Sequence, residues 1–458
     1  MTRPNGLKSA YAYDNLSRLL SVLHQSGATT LDGASYAVNN AGNRTSRTPQ
    51  PSGTASNYGY DALYELTSVT QSSTTTESYT YDPVGNRLSS LGVSPYSNNL
   101  SNELTSTPSA TYTYDSNGNT STKVVGSNTT TYAWDYENRM TSVTLPGSGG
   151  TVTFKYDPFG RRIYKSSSTA TSVYAYDGFN LIEETNSSGG VVARYEQAQN
   201  IDEPLATLRS SATSYFHADG LGSITSLSSA AGSIANTYTY DSYGNLTAST
   251  GSLTNSFRYT GREFDSETGL YYYRARYYDP AAGRFLREDP LGFRGGINKY
   301  AYVSNSAPNF RDPRGLCGGT LLGCAASLSQ EGSLNAILPV QIPLLGSNFF
   351  GDVVGAFSDG PFGDRVDQGL SAASEVALHG VAEAGPHIAI GTVTSIGLPV
   401  SAASGVYNPI TIGESTATLG AAVPEVAALA TVLSVLSVAK FGADALVFAA
   451  ALAICKWD

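Results

Sequence analysis

The chain has 458 residues and a formal net charge of −10, enough for two or three ordinary domains. Residues 1–316 carry 26 acidic and 24 basic side chains, and residues 317–458 carry 11 and 3. Neither part has the basic footprint that a phosphate backbone requires, which argues against a nucleic-acid partner. Three cysteines, Cys317, Cys324 and Cys455, are too few and too unevenly placed for a disulfide framework, and they fit no zinc spacing. Met1 leads straight into a repeat, without the apolar core of a signal peptide. A secreted or cell-surface protein would then need an export route that reads no such signal, or this is a piece of a longer exported chain.

The first predicted elements are repeats. A Tyr-Asp or Trp-Asp pair followed by a turn recurs at Tyr13, Tyr60, Tyr81, Tyr114, Trp134, Tyr156, Tyr176 and Tyr240, often at intervals of 20 to 22 residues. Alternating Thr and Tyr before each pair predicts a strand. The Asp-x-x-Gly-Asn that follows in the 111–120 unit predicts a turn with one residue at positive φ. A second short strand then completes a hairpin, as at 139–145. One hairpin is not stable alone, so the units must stack side by side.

These motifs resemble the Rhs, or YD-repeat, family. The likeness rests on Tyr-Asp-Pro-Val-Gly-Asn-Arg-Leu (81–88), Trp-Asp-Tyr-Glu-Asn-Arg-Met (134–140), Tyr-Asp-Pro-Phe-Gly-Arg-Arg (156–162) and Tyr-Asp-Ser-Tyr-Gly-Asn-Leu (240–246). The stretch from Phe257 to Leu316 is similar to that family's repeat-associated core. The resemblance implies mainly β structure, with stacked hairpins forming a curved ribbon or partial shell. It also implies a variable C-terminal polypeptide, often a toxin, enclosed by a complete shell. The expected division is 1–256 for repeats, 257–316 for the core and 317–458 for the variable domain. Two strands per unit, ~4.8 Å apart, give residues 1–316 a ribbon that circles such a cargo about once. A single open ribbon with two free edges is therefore expected.

Two Asp-Pro-x-Gly units, at Asp289 and Asp312, bracket a Gly-Gly-Ile-Asn-x-Tyr-x-Tyr stretch. Two carboxyl groups held close share one proton, which is the basis of aspartic-protease chemistry. The family resemblance ties this pattern to self-cleavage after the following leucine, here the Leu316–Cys317 bond. Residues 293–311 number nineteen, one more than the family's usual spacer. The same spelling at Asp82 and Asp157 is that of a type I turn, so the motif also reads as two turns. Arg284, Arg287 and Arg311 are near enough in sequence to orient the charged member, or to form strand-face ion pairs.

Residues 317–458 resemble no family. Glu375, His379, Glu383 and His387 recur every four residues, a metal-binding spacing on a helix, but Gly380, Gly385 and Pro386 interrupt it. They read as solvated positions, and no metal or cofactor is expected. From Glu425 onward the Ala, Leu and Val content predicts helix. The uncharged runs 426–439 and 445–455 are each too short to span a bilayer alone. Core helices are expected at 425–455, with a membrane-active tail as the alternative.

Two functions follow. The first is a scaffold that encloses or presents a self-cleaved effector, with an upstream repeat segment, a secretion machine and an immunity protein as partners. The second is a secreted or cell-surface protein that binds carbohydrate or protein through an exposed aromatic face.

Overall fold

Of the eight Tyr-Asp and Trp-Asp repeat turns, seven are closed by their aspartate, all but that of Asp177. Asp157 Oδ1 accepts from the backbone N–H groups of Phe159 and Arg161, both at 2.9 Å, and Oδ2 accepts from Arg161 Nε at 2.7 Å. Gly160 takes the left-handed position at φ +77°. The Asp157 N–H donates to Arg161 O, and the strand register shifts at Tyr156, a bulge that twists the hairpin.

The residue before the aspartate joins one hairpin to the last. Tyr156 OH donates to Met140 O at 2.7 Å, Tyr176 OH to Arg162 O at 2.9 Å and Tyr240 OH to Ile224 O at 3.0 Å. Tyr60 and Tyr81 do the same toward Arg44 O and Leu66 O. Trp134 Nε1 reaches Thr120 O at 2.8 Å, and Gln197, which precedes Ala198 and not an aspartate, makes a like contact from Nε2 to Leu181 O at 3.0 Å. At these turns the position carries a donor on a long side chain, aimed at a carbonyl just past the previous turn, whereas the equivalent turn at Asp219 closes behind Ala218 without one.

The structure is a computed structural model that describes residues 1–316, and these belong to one compact unit. The architecture is mainly β, with antiparallel pairing between neighbours in the chain. One sheet of eight strands runs from Lys8–Tyr13 to Arg87–Ser90, and one of sixteen runs from Ser97–Asn98 to Leu246–Thr250. Both sheets are open. The single ribbon expected from the repeats is thus two ribbons. The break falls at residues 91–96, where Pro95 has no N–H to give to the ladder, although the next residue, Tyr96, donates its N–H back to Leu88 O at 2.9 Å. The strand Leu246–Thr250 lies at one edge of the larger sheet and is exposed along its whole length. The expectations for 375–387 and for helices at 425–455 lie outside the described residues.

A third sheet of four strands, Glu263–Asp265, Leu270–Tyr273, Arg276–Asp279 and Arg284–Phe285, supplies the core. Tyr271, Tyr273, Tyr278 and Phe285 pack with Leu66 and Val69 of the first ribbon, while Tyr272 and Tyr277 pack with Met140, Val143 and Phe154 of the second. Burial on both faces explains why this stretch lacks alternation. Each buried phenol needs an acceptor, and several find one in the repeat turns. Tyr300 OH donates to Gly118 O at 2.7 Å, Tyr272 OH to Gly160 O at 3.2 Å and Tyr271 OH to Gly244 O at 3.0 Å. A side chain at Gly118 would stand 2.7 Å from the Tyr300 oxygen, so that turn needs glycine for space as well as for its φ of +76°. Arg162 anchors the sheet from outside, with Glu263 Oε2 at 3.0 Å and Asp265 Oδ2 at 2.5 Å.

The two ribbons meet at a pair of buried histidines. The rings of His24 and His217 lie 4.7 Å apart, each essentially without solvent exposure. His24 Nδ1 is 2.9 Å from Ser9 Oγ and its Nε2 is 2.9 Å from Ala218 O. His217 Nε2 is 2.8 Å from Ser228 Oγ, and its Nδ1 has no hydrogen-bond partner. Burial lowers both pKa values, that of His217 to about 2. The unfolded chain binds protons at these rings below pH ~6.5, while the folded chain resists them. Stability is therefore complete above that pH and falls as pH drops through it. Between pH 7.5 and 5 the expected loss is about 2 kcal/mol for His217. Urea unfolding at the two pH values checks this, and replacing both histidines with Gln should flatten the difference.

Candidate functional site

The segment from Arg287 to Leu316 leaves the third sheet and folds back over it. Asp289 opens a turn in which Leu291 N–H donates to its Oδ1 at 2.8 Å, and Gly292 N–H donates to its carbonyl at 2.9 Å. Asp312 opens the last turn, with Leu316 N–H donating to its Oδ1 at 3.0 Å. Both spellings are turns, as Asp82 and Asp157 are, but here the free oxygens converge. Asp289 Oδ2 lies 3.0 Å and Asp312 Oδ2 lies 3.3 Å from the same nitrogen, NH2 of Arg276. All three side chains are fully buried.

The two carboxyls are not equivalent. Asp312 receives donors on both oxygens, from Leu316 and from Arg276. Asp289 Oδ2 has only an unaligned contact with Arg276 and accepts no hydrogen bond. Burial pushes the Asp289 carboxyl above the ordinary carboxylate range, against the opposing pull of Arg276. An arginine that loses water in this way needs its charge balanced, and both aspartates oppose the effect of burial on Arg276.

Arg276 also holds the chain that leads to Leu316. Its Nε donates to Gly315 O at 2.5 Å and its NH1 to Lys299 O at 3.1 Å, and the guanidinium stacks 3.6 Å from the Phe285 ring centroid. Ala275 N–H donates to Arg314 O at 3.1 Å, and Arg274 reaches Pro313 O. Gly315, at φ +69°, lies so close to this strand that a Cβ would stand 2.2 Å from Tyr273 O. Three successive carbonyls before Leu316 are thus fixed by residues 274–276. Cys317 lies outside the described residues.

The three arginines named from the sequence sit elsewhere. Arg284 donates to Asn98 Oδ1 and Asn102 O and stacks on Tyr300. Arg287 donates to the carbonyls of Glu137 and Asn138, and burial brings its pKa to about 10. It acts on Asp289 through space, not by contact. Arg311 lies beside Gly222. The bridging residue, Arg276, stands 13 positions ahead of Asp289 on a central strand, where neighbourhood in sequence does not find it. Its one signal was charge inside the tyrosine-rich run 271–278, a signal that Arg274 shares.

A family model of the teneurin YD-shell matches residues 43–295. The tRNA nuclease WapA of Bacillus subtilis is 33% identical over 273 residues, which is 56% of this chain and 12% of that protein. The toxin protein Tse5 of Pseudomonas aeruginosa is 52% identical over 59 residues, 13% of this chain and 4% of the relative. The chain therefore spans about one eighth or less of the length of these relatives. Among solved structures, the Tc holotoxin pore of Photorhabdus luminescens matches with a TM-score of 0.59 at 21% identity, over 69% of this chain and 18% of that one. The TcdB2–TccC3 complex matches with a TM-score of 0.57 at 22% identity, with the same 69% coverage and 19% of its chain. These structural likenesses concern the fold. The family match takes in most of the tyrosine-locked hairpins and the third sheet that fills them, over more than half of the 458 residues, and the chain belongs to the teneurin YD-shell family.

Proposed function

We propose that the chain is an Rhs-type, toxin-related shell segment that carries residues 317–458 as an effector and cuts itself at Leu316–Cys317. The observation that carries this reading is the meeting of Asp289 and Asp312 on Arg276, with the Leu316 amide bonded to Asp312. In the reaction, one carboxylate takes a proton from water and the water oxygen bonds to the Leu316 carbonyl carbon. The other carboxyl gives its proton to the Cys317 nitrogen as the C–N bond breaks. The products are a Leu316 carboxyl and a Cys317 amine, and the pair ends with one proton, as it began. Asp289, raised by burial, suits the proton donor, and Asp312, with donors on both oxygens, suits the base.

Tethering supplies the rest. A bond held beside its catalyst gains an effective molarity of ~10⁵ M or more, ample for a single turnover. The toxin and nuclease relatives support an effector cargo. The carbohydrate-binding alternative calls for a tyrosine-rich outer face. Among the described residues only Tyr11, Tyr13, Tyr64 and Tyr136 are exposed, and most of the others turn inward.

The test is intact-mass analysis of the purified full chain. Fragments ending at Leu316 and starting at Cys317 are expected, formed more slowly as pH rises well above neutral, because the reaction needs one protonated carboxyl. A wild-type chain that stays whole after incubation at pH 5 to 7 would overturn the reading. Growth arrest on expression of residues 317–458 alone would support the effector, and normal growth would count against it.

A further inference from the structure

We infer that Gly295 is a positioning residue for the carboxyl pair, and that its bare backbone lets residues 291–296 close over Asp289 as a water-excluding cap. The inference deepens the cleavage reading and rests on it. Three glycines occupy this loop, for different reasons. Gly292 and Gly296 lie at φ +58° and +133°, where side chains are disfavoured. Gly295 lies at φ −74° and ψ −14°, which any residue adopts. Its backbone therefore does not call for glycine, and its neighbour does. A Cβ there would stand 2.6 Å from Asp289 Oδ2, 2.7 Å from Cγ and 3.2 Å from Oδ1.

The carboxyl cannot step aside. Leu291 N–H holds one oxygen and Arg276 faces the other. Gly295 is buried, although Phe293 and Ile297 on the same loop are 78% and 66% exposed. The loop closes on itself through Gly295 N–H to Gly292 O at 3.1 Å and Gly296 N–H to Phe293 O at 3.2 Å. The groups facing Asp289 are Arg276 from the third sheet, Asp312 from the last turn and Arg287 ahead of it. Lys299, whose carbonyl accepts the Asp289 N–H, is paired with Glu288 at 2.6 Å. None of these replaces the water that the cap removes from Oδ2, which agrees with burial as the main influence on this carboxyl.

Gly295→Ala in the full chain should lift the cap or push the carboxyl off Arg276. A displacement of this size slows a positioned reaction about 100-fold. A purely structural defect would lower the rate at every pH alike. Rehydration of Asp289 instead lets its proton leave at lower pH, so the fall-off of cleavage on the alkaline side should move to lower pH. Leu63→Ser, at an exposed side chain on the Asp61 turn and outside the cap, should leave rate and profile unchanged. Wild-type rate and profile in Gly295→Ala would overturn the inference.

A second measurement does not depend on that variant folding. In full-length Asp312→Asn, the Leu291 and Gly295 amides should exchange with solvent slowly, and exchange at the rate of an open loop would also overturn it. If the wild-type chain is never cut, the cleavage reading fails, and this exchange measurement still decides whether the cap exists.

Discussion

Asp289→Asn and Asp312→Asn are each expected to leave the chain uncut. Positioned general acid and base groups each contribute ~10²–10⁴ in rate, and groups that act as a unit lose most of their effect when either is removed. The two variants should fail for different reasons. In Asp289→Asn, the new amide has no proton of the required acidity to give to the leaving nitrogen. In Asp312→Asn, the side chain keeps an oxygen to accept the Leu316 N–H, but its amide turns a second donor toward Arg276 NH2, where Asp312 offered an acceptor. A slowing of at least two orders of magnitude is expected for each, read as the fraction of intact chain against time. Cleavage of either variant at the wild-type rate would reduce both motifs to turns.

Arg162→Met is expected to give the largest loss of stability. Arg162 is 1% exposed, packs 4.4 Å from the Tyr272 ring centroid and faces Glu263 and Asp265. Methionine fills similar apolar space but leaves two carboxylates buried, with Lys165 touching only Asp265 of the pair. Removing one side of a buried ion pair costs about 3–5 kcal/mol. In a domain of this size that lowers Tm by roughly 5–10 °C. Adding Glu263→Gln and Asp265→Asn should restore part of the loss, because uncompensated charge, not lost packing, is the main cost. A loss below about 1 kcal/mol in thermal melting would mean that water reaches the carboxylates when Arg162 is gone.

Local rules were legible wherever the cause lies within one hairpin. The Asp-x-x-Gly spelling sets the turn because the aspartate bonds amides two and four residues on. The alternation of Thr and Tyr sets the strands. The Tyr-Asp pairs announced a repeat, and the repeat led to the family. The physical task of the tyrosine was not legible. Its acceptor lies about 16 residues back, as Met140 does for Tyr156, and Trp134 shows that the task admits other donors.

The site divides in the same way. Asp289 and Asp312 are visible as turn aspartates, since a type I turn is written in four consecutive residues. Their meeting is not visible, because it depends on Arg276, whose strand is buried on both faces by two different ribbons. The break at residues 91–96, the histidine contact between ribbons and the space that makes position 295 a glycine are likewise decided by segments distant in the chain. Hydrogen bonds and period-2 patterning act over a few residues, so the hairpins, the turns and their order could be read along the chain. The tertiary structure decided which buried charges face one another. Those pairings follow from how sheets stack, and no local pattern encodes them.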